Sequence, residues 1–287
     1  VFNKRNADEA TERMFSPTTV RTFNSLGHRI WAAACRKKLR LDAKKSQAIY
    51  RDMIDGVKYK TTKNIMWEVY WEVIQAVALA KNIGYIPEGK YTHAKRLIGQ
   101  AVFHGALEER PDDLVSDLID AVLTTSIKQA YDGLIDYNDQ IYMPGLFGGT
   151  FPNFPLVLVD EAQDLSPVNH AMIHKLGKNR IIAVGDPWQS IYAFRGAKRG
   201  GMGELKEHFK MDELDLSVSF RCPRAIVEAA RWRVPHFKWI KEGGHVEVLS
   251  RVAAADIPDT GTIICRNNAP LFRTALQLLG HGRSVSV

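Results

Sequence analysis

Apolar residues along this chain recur in two rhythms. From 43 to 130 they come at helical spacing in one segment after another. Ile65, Val69, Ile74 and Val77 with Trp67 and Trp71 mark one segment, and Leu114, Leu118, Ala121 and Val122 line one face of 113–128. Turn signals at Gly56, Pro87-Glu88-Gly89 and Arg110-Pro111-Asp112 separate them, which predicts an all-helical block. Elsewhere the apolar runs are short and continuous. Leu156-Val157-Leu158-Val159 and Ile181-Ile182-Ala183-Val184 each stop on acidic or glycine residues, the pattern of strands buried on both faces of a parallel sheet. Between them 167–175 reads as a helix with Ser166 at its N-cap and Pro167 at its first position. Strand, helix and strand in that space form a βαβ unit, and ligands bind at the carboxyl ends of such strands.

The remaining pattern is sparser. Residues 1–4 look like the tail of a strand, 7–14 are helical in composition, and 18–23 is a strand candidate. An amphipathic helix carrying Leu26, Ile30 and Ala33 or Ala34 follows it. Residues 131–150 form a Gly- and Pro-rich connection through Pro144-Gly145-Leu146-Phe147-Gly148-Gly149, and 200–203 a glycine turn. Strand-like runs at 214–218, 246–249 and 261–265, with helices at 223–230 and 270–279, begin a second α/β domain.

Asp160 and Glu161 stand at the end of the first of the paired strands. One carboxylate there can hold a hydrated Mg²⁺, which takes few protein ligands, and the other can orient and deprotonate a water attacking a phosphate. Asp-Glu alone reads rather as the start of a loop, with Asp164 capping the next turn. The four apolar residues before it, the Ala-Gln-Asp after it, and a second strand ending Gly-Asp-x-x-Gln turn the balance toward a nucleotide site.

Composition adds bounds rather than an identity. With 287 residues the chain can hold two domains, and 45% hydrophobic with 25% charged residues is ordinary for a globular protein. No apolar run approaches the roughly 20 residues that span a bilayer, and no leader pattern opens the chain, so the expectation is a cytoplasmic protein with no membrane partner. Cys35, Cys222 and Cys265 lack metal-ligand spacing and are expected as free thiols. A net charge of +7 fits a polyanionic partner without naming one. Lys37, Lys38, Arg40, Lys44 and Lys45 form a basic cluster that reads either as a contact to a nucleic-acid backbone or as a solvated helix face. There is no internal repeat or low-complexity tract.

The longer motifs carry a resemblance. Val159-Asp160-Glu161-Ala162-Gln163-Asp164 resembles the Walker B motif of UvrD/Rep-like superfamily 1 DNA helicases. The run from Val184-Gly185-Asp186-Pro187-Trp188-Gln189 through Ser190-Ile191-Tyr192-Ala193-Phe194-Arg195-Gly196-Ala197 resembles their third motif. Leu216-Ser217-Val218-Ser219-Phe220-Arg221 resembles the opening of their second motor domain, and Thr262-Ile263-Ile264-Cys265-Arg266-Asn267 a later strand of it. Phe2-Asn3-Lys4-Arg5 and Thr22-Phe23-Asn24-Ser25-Leu26-Gly27 resemble the family's first DNA-contacting segments, although the family usually has histidine where Asn24 stands.

The resemblance implies an α/β fold: a RecA-like P-loop NTPase parallel sheet with a helical insert, plus the start of a second RecA-like domain. It implies domain 1A at 1–42 and 131–212, a 1B insert at 43–130, and the start of 2A at 213–287. Asp160 would hold Mg²⁺, Glu161 would be the base, Gln189 would read the γ-phosphate of ATP, and Arg221 would be an arginine finger. Phe220 would stack on the adenine. Tyr192, Phe194 and Arg195 would face single-stranded DNA, with Phe2, Asn3, Thr22 and Phe23 as further DNA contacts. Two readings stay open for several of these: Phe194 is a stacking ring or a core ring, and Thr22-Phe23 is a DNA contact or a core strand leading into a helix.

No G-x-x-x-x-G-K-[ST] loop occurs in the 287 residues, and the family's late second-domain motifs are also missing, so the resemblance implies an internal piece of a longer reading frame that is inactive alone. The implied whole enzyme couples Mg²⁺-ATP hydrolysis to 3′–5′ movement on single-stranded DNA and ss/dsDNA junctions. It would be nucleoid-associated, or nuclear in a eukaryote, with unidentified repair or replication partners. The competing readings are a non-catalytic, nucleotide-gated DNA-binding module, or the motor of a helicase–nuclease.

Overall fold

The computed structural model describes residues 4–15, 18–177, 180–190, 200–250, 252–253 and 256–286. The chain divides into two compact units, Val1–Glu213 and Leu214–Val287.

The first unit opens with helix α1 (Lys4–Arg13) and helix α2 (Phe23–Cys35). Lys4 thus begins a helix, not the end of a strand, and 18–23 is no strand: Thr22 is the N-cap of α2, its hydroxyl accepting from the Ser25 N–H at 3.1 Å. A two-residue strand β1 (Arg40–Leu41) leads into the helices α3 (Lys45–Gly56), α4 (Lys60–Glu68), α5 (Tyr70–Ile83), α6 (Gln100–Gly105) and α7 (Asp113–Tyr131). Their inward faces form one core, in which Tyr50, Val73, Val77, Phe103, Ile119 and Val122 are fully buried. The chain returns at β2 (Leu134–Ile135), which pairs parallel with β1, Arg40 opposite Leu134 and Leu41 opposite Ile135.

A second core joins this block to helix α8 (Asp139–Phe147) through Trp31, Ile127, Ala130, Tyr142 and Leu146. The Gly/Pro-rich stretch expected as a connection is therefore helical. Pro144 removes the amide that would bond the Gln140 carbonyl, and that carbonyl instead abuts Gly27 of α2, where any Cβ would overlap it. Lys175 donates to the carbonyls of Pro144 and Gly145 (2.7 and 2.8 Å), satisfying part of the open end of α8. Burial, with Lys95 nearby, lowers the Lys175 pKa to about 8.

Strand β3 (Leu156–Val159), helix α9 (Pro167–Leu176) and strand β4 (Arg180–Ala183) form the expected βαβ unit, the strands parallel with Leu156 opposite Arg180 and Val159 opposite Ala183. Ser166 caps α9 in a reciprocal box with Asn169. Burial on both strand faces is not found. Val157, Val159, Ile181 and Ala183 pack into the third core with Phe23, Met172, Ile173 and Leu205, whereas Leu156, Leu158 and Ile182 are about half exposed. The alternation puts the two sets on opposite faces, and α2, α9 and helix α10 (Gly201–Phe209) contribute to the covered face alone. Gly201–Gly203, expected as a turn, is the first part of α10, with Gly200 in the left-handed region (φ 76°) before it.

Where α3, α5, α7 and the β2–α8 turn meet lies a buried ionic cluster. Lys45 donates to Asp139 Oδ2 and to the Ser126 carbonyl, both at 2.7 Å. Lys81 reaches Asp136 Oδ2 at 2.6 Å, Asp139 Oδ1 at 2.7 Å and Ser126 Oγ at 2.8 Å. Both lysine side chains are fully enclosed. Two ammoniums against two carboxylates leave the cluster neutral, which is how buried charges persist. Burial would raise the Asp136 carboxyl, but Lys81 and Lys45 hold it below the usual carboxylate value. Burial would lower the Lys81 ammonium, and Asp136 and Asp139 hold it above its usual value.

The second unit contains β5 (Val218–Ser219), α11 (Arg224–Ala230), β6 (Lys238–Trp239) and α12 (Asn268–Gly280), with β5 and β6 parallel. Residues 246–249 and 261–265, expected as strands, belong to no strand. Among the described residues no helix is long and apolar enough to cross a membrane.

Candidate nucleotide site

The carboxyl ends of β3 and β4 are stitched together beyond the regular ladder. The Val184 N–H donates to the Val159 carbonyl (2.8 Å) and the Ala162 N–H to the Val184 carbonyl (2.9 Å). Between these bonds the chain turns sharply: Glu161 adopts a left-handed conformation (φ 53°, ψ 45°), a strain of roughly 1–2 kcal/mol for a residue with a Cβ. Asp160 and Glu161, both half-buried, directly follow β3 at this turn.

Gln163, in the 3₁₀ turn Ala162–Asp164 and only 5% exposed, links the two strand ends. Its Nε2 donates to Glu161 Oε2 at 2.7 Å, and its Oε1 accepts the Asp186 N–H at 3.0 Å. Gly185 has no side chain because that amide fills the space: a Cβ there would overlap Gln163 Oε1 and crowd Met202. Asp186 caps the 3₁₀ turn Pro187–Gln189, taking the Trp188 N–H on Oδ1 (2.9 Å) and Gln189 Nε2 on Oδ2 (2.7 Å). Glu161, Gln163, Asp186 and Gln189 are thus one hydrogen-bonded series spanning both strands. Sequence reading selected Asp160, Glu161 and Gln189 but passed over Gln163 and Asp186. Their signal was a glutamine two places after the acidic pair and an aspartate directly after a glycine.

The UvrD/REP helicase N-terminal domain family matches residues 2–210 of this chain. The chain belongs to that family. DNA helicase IV of Escherichia coli K12 is 26% identical over 280 residues, covering 80% of this chain and 39% of that protein. The RecBCD enzyme subunit RecB of Mycolicibacterium smegmatis is 27% identical over 169 residues, 50% of this chain and 15% of RecB. The ATP-dependent DNA helicase srs2 of Schizosaccharomyces pombe is 35% identical over 81 residues, 27% of this chain and 9% of that protein. The chain therefore spans well under half the length of these relatives.

Within this UvrD/REP-family chain the other expected site residues are distributed unevenly. Phe23 is 9% exposed and belongs to the core with Val159 and Met172, and Thr22 caps α2. Asn24 ties α2 to the start of α8 through the Tyr137 carbonyl (2.7 Å) and Gln140 Oε1 (3.0 Å). Phe2, Asn3, Tyr192, Phe194 and Arg195 lie outside the described residues. Of the basic cluster, Lys45 is buried in its ion pairs, against both readings offered for it, because its partners come from helices distant in sequence. Lys37 pairs with Asp132 at 3.2 Å, while Lys38, Arg40 and Lys44 are exposed. Phe220 and Arg221 follow β5 in the second unit, both exposed, Phe220 at 71%.

Proposed function

We propose that this chain is the motor segment of an ATP-dependent DNA helicase, with Asp160 and Glu161 as the hydrolytic pair. The observation that carries this reading is the placement of Asp160 and Glu161 at the carboxyl end of a parallel strand, with Glu161 hydrogen-bonded through Gln163 to the turn bearing Gln189. Their hard oxygen donors suit Mg²⁺, which takes few protein ligands and keeps several waters. Bound Mg²⁺ would neutralise phosphate charge as it develops. Asp160 would hold the ion, Glu161 accepts the proton of the attacking water, and Gln189 faces the terminal phosphate once it swings away from Asp186.

In this reading 1–42 and 131–212 form a RecA-like domain, 43–130 its helical insert, and 213–287 the beginning of a second RecA-like domain. The parallel β1–β2 pair, which closes the helical excursion, and the division into two units support that partition. Arg221 supplies positive charge to the transition state and Phe220 a face for the adenine. Tyr192, Phe194 and Arg195, with Phe2 and Asn3, contact single-stranded DNA, and the motor moves 3′ to 5′.

The test is Glu161→Gln in the full natural chain. ATP and DNA binding should stay within a few-fold of the parent while DNA-dependent phosphate release falls by roughly 10²–10⁴. Turnover close to the parent level would remove Glu161 as the base and leave a nucleotide-gated DNA-binding module as the better account.

A further inference from the structure

Gln163 is placed to do more than fill space. Both ends of its amide are chemically committed: a backbone N–H can only donate and an ionised carboxylate can only accept. A single amide orientation therefore serves Asp186 N–H through Oε1 and Glu161 through Nε2. The Gln163 carbonyl also accepts from Ser190 Oγ at 3.2 Å, at the end of the Gln189 turn. Glu161 stands on a left-handed residue whose backbone alone would not hold its carboxylate in one direction. Gly185 keeps the approach open, and Asp186 passes the connection to Gln189.

We propose that Gln163 is a positioning residue that ties the Glu161 carboxylate to the turn carrying Gln189, so that the base is aimed only when the phosphate-facing turn is in place. This rests on the hydrolytic reading of Glu161. Its consequence is mechanical: Gln189 and the Gln163 amide are held by different atoms of Asp186, so Gln189 can leave Oδ2 for a phosphate while Glu161 stays aimed, and only a displacement of the whole turn releases the base.

The experiment uses the full natural chain with Gln163→Glu, Gln163→Met, Glu161→Gln and the exchange Glu161→Gln/Gln163→Glu. Three quantities are measured: DNA-dependent ATP turnover, equilibrium binding of a non-hydrolysable fluorescent ATP analogue with Mg²⁺, and melting temperature. Gln163→Glu keeps an acceptor for Asp186 N–H but sets a carboxylate against Glu161. It should lower kcat by about 10- to 100-fold, the range for removing a partner that orients a working group, with analogue affinity within about twofold. The exchange re-forms the bond with donor and acceptor reversed, so it should recover the melting temperature lost in Gln163→Glu while remaining inactive. Gln163→Met keeps the volume without adding charge and should show the same split between kcat and affinity.

Parent-like kcat in both Gln163 variants, with Glu161→Gln inactive, overturns the positioning role and leaves the hydrolytic reading standing. Parallel losses of affinity and kcat, or an exchange no more stable than Gln163→Glu, also overturn it. Turnover persisting in Glu161→Gln would instead sink the reading beneath it.

Discussion

Lys81→Met is the sharpest test of how the helical block is held to the rest of the first unit. The ammonium is fully enclosed and makes three contacts of 2.6–2.8 Å, to Asp136, Asp139 and Ser126. At an effective dielectric of about 20, each carboxylate contact carries about 6 kcal/mol of gross attraction, against a desolvation cost of several kcal/mol per ion. Methionine keeps most of the volume but leaves two buried carboxylates facing the single ammonium of Lys45. The expected loss is about 3–5 kcal/mol, the usual cost of orphaning one member of a buried pair. Lys81→Met with Asp136→Asn restores neutrality and should recover much of it.

Urea unfolding followed by circular dichroism, repeated across pH, gives both quantities. In the parent, Asp136 has a lowered folded pKa, so its contribution is present above the ordinary carboxylate value and is lost as pH falls through the lowered one. In Lys81→Met the cation that chiefly lowers the Asp136 carboxyl is gone while burial still raises it, so that acid loss should shrink. A change below 1 kcal/mol, or a double variant less stable than Lys81→Met, would refute the reasoning.

Three further outcomes are expected. Gly185→Ala should cost roughly 1–3 kcal/mol by driving a methyl group into the Gln163 amide, read as a shift in the urea midpoint with unchanged slope. His174, whose ring stacks on His208 at 3.8 Å, has a pKa below the usual 6.5 through burial and the neighbouring His208 and Lys95. The folded state thus resists a proton the unfolded chain takes, so stability should fall as pH drops below about 6.5, and His174→Phe should flatten that slope in pH-dependent melting. Arg221→Ala in the full natural chain should lower ATP turnover by about 10³ or more if it acts as an arginine finger, measured as single-turnover phosphate release.

Local rules set much of this protein from the sequence. The β3–α9–β4 unit was legible because its signals are short-range: apolar runs cut off by Asp160 and Gly185, and Ser166-Pro167 at a helix start. The helical block was legible for the same reason, since 3.6-residue periodicity is written into each segment. What failed in the sequence depended on partners far along the chain. Pro144-Gly145 reads as a loop until α2 abuts one freed carbonyl and Lys175 takes up others. Lys45 reads as a surface charge until Asp139, more than ninety residues later, neutralises it. Leu156 and Leu158 read as doubly buried, but burial of a strand's second face belongs to whatever packs on it, not to the strand. Thr22 and Phe23 read as strand because apolar and β-branched residues look alike in a strand and at a capped helix start. Gln163 is the clearest case: a single polar side chain has no periodicity. Its role exists only because parallel pairing brings Asp186 and Glu161 to opposite ends of one amide.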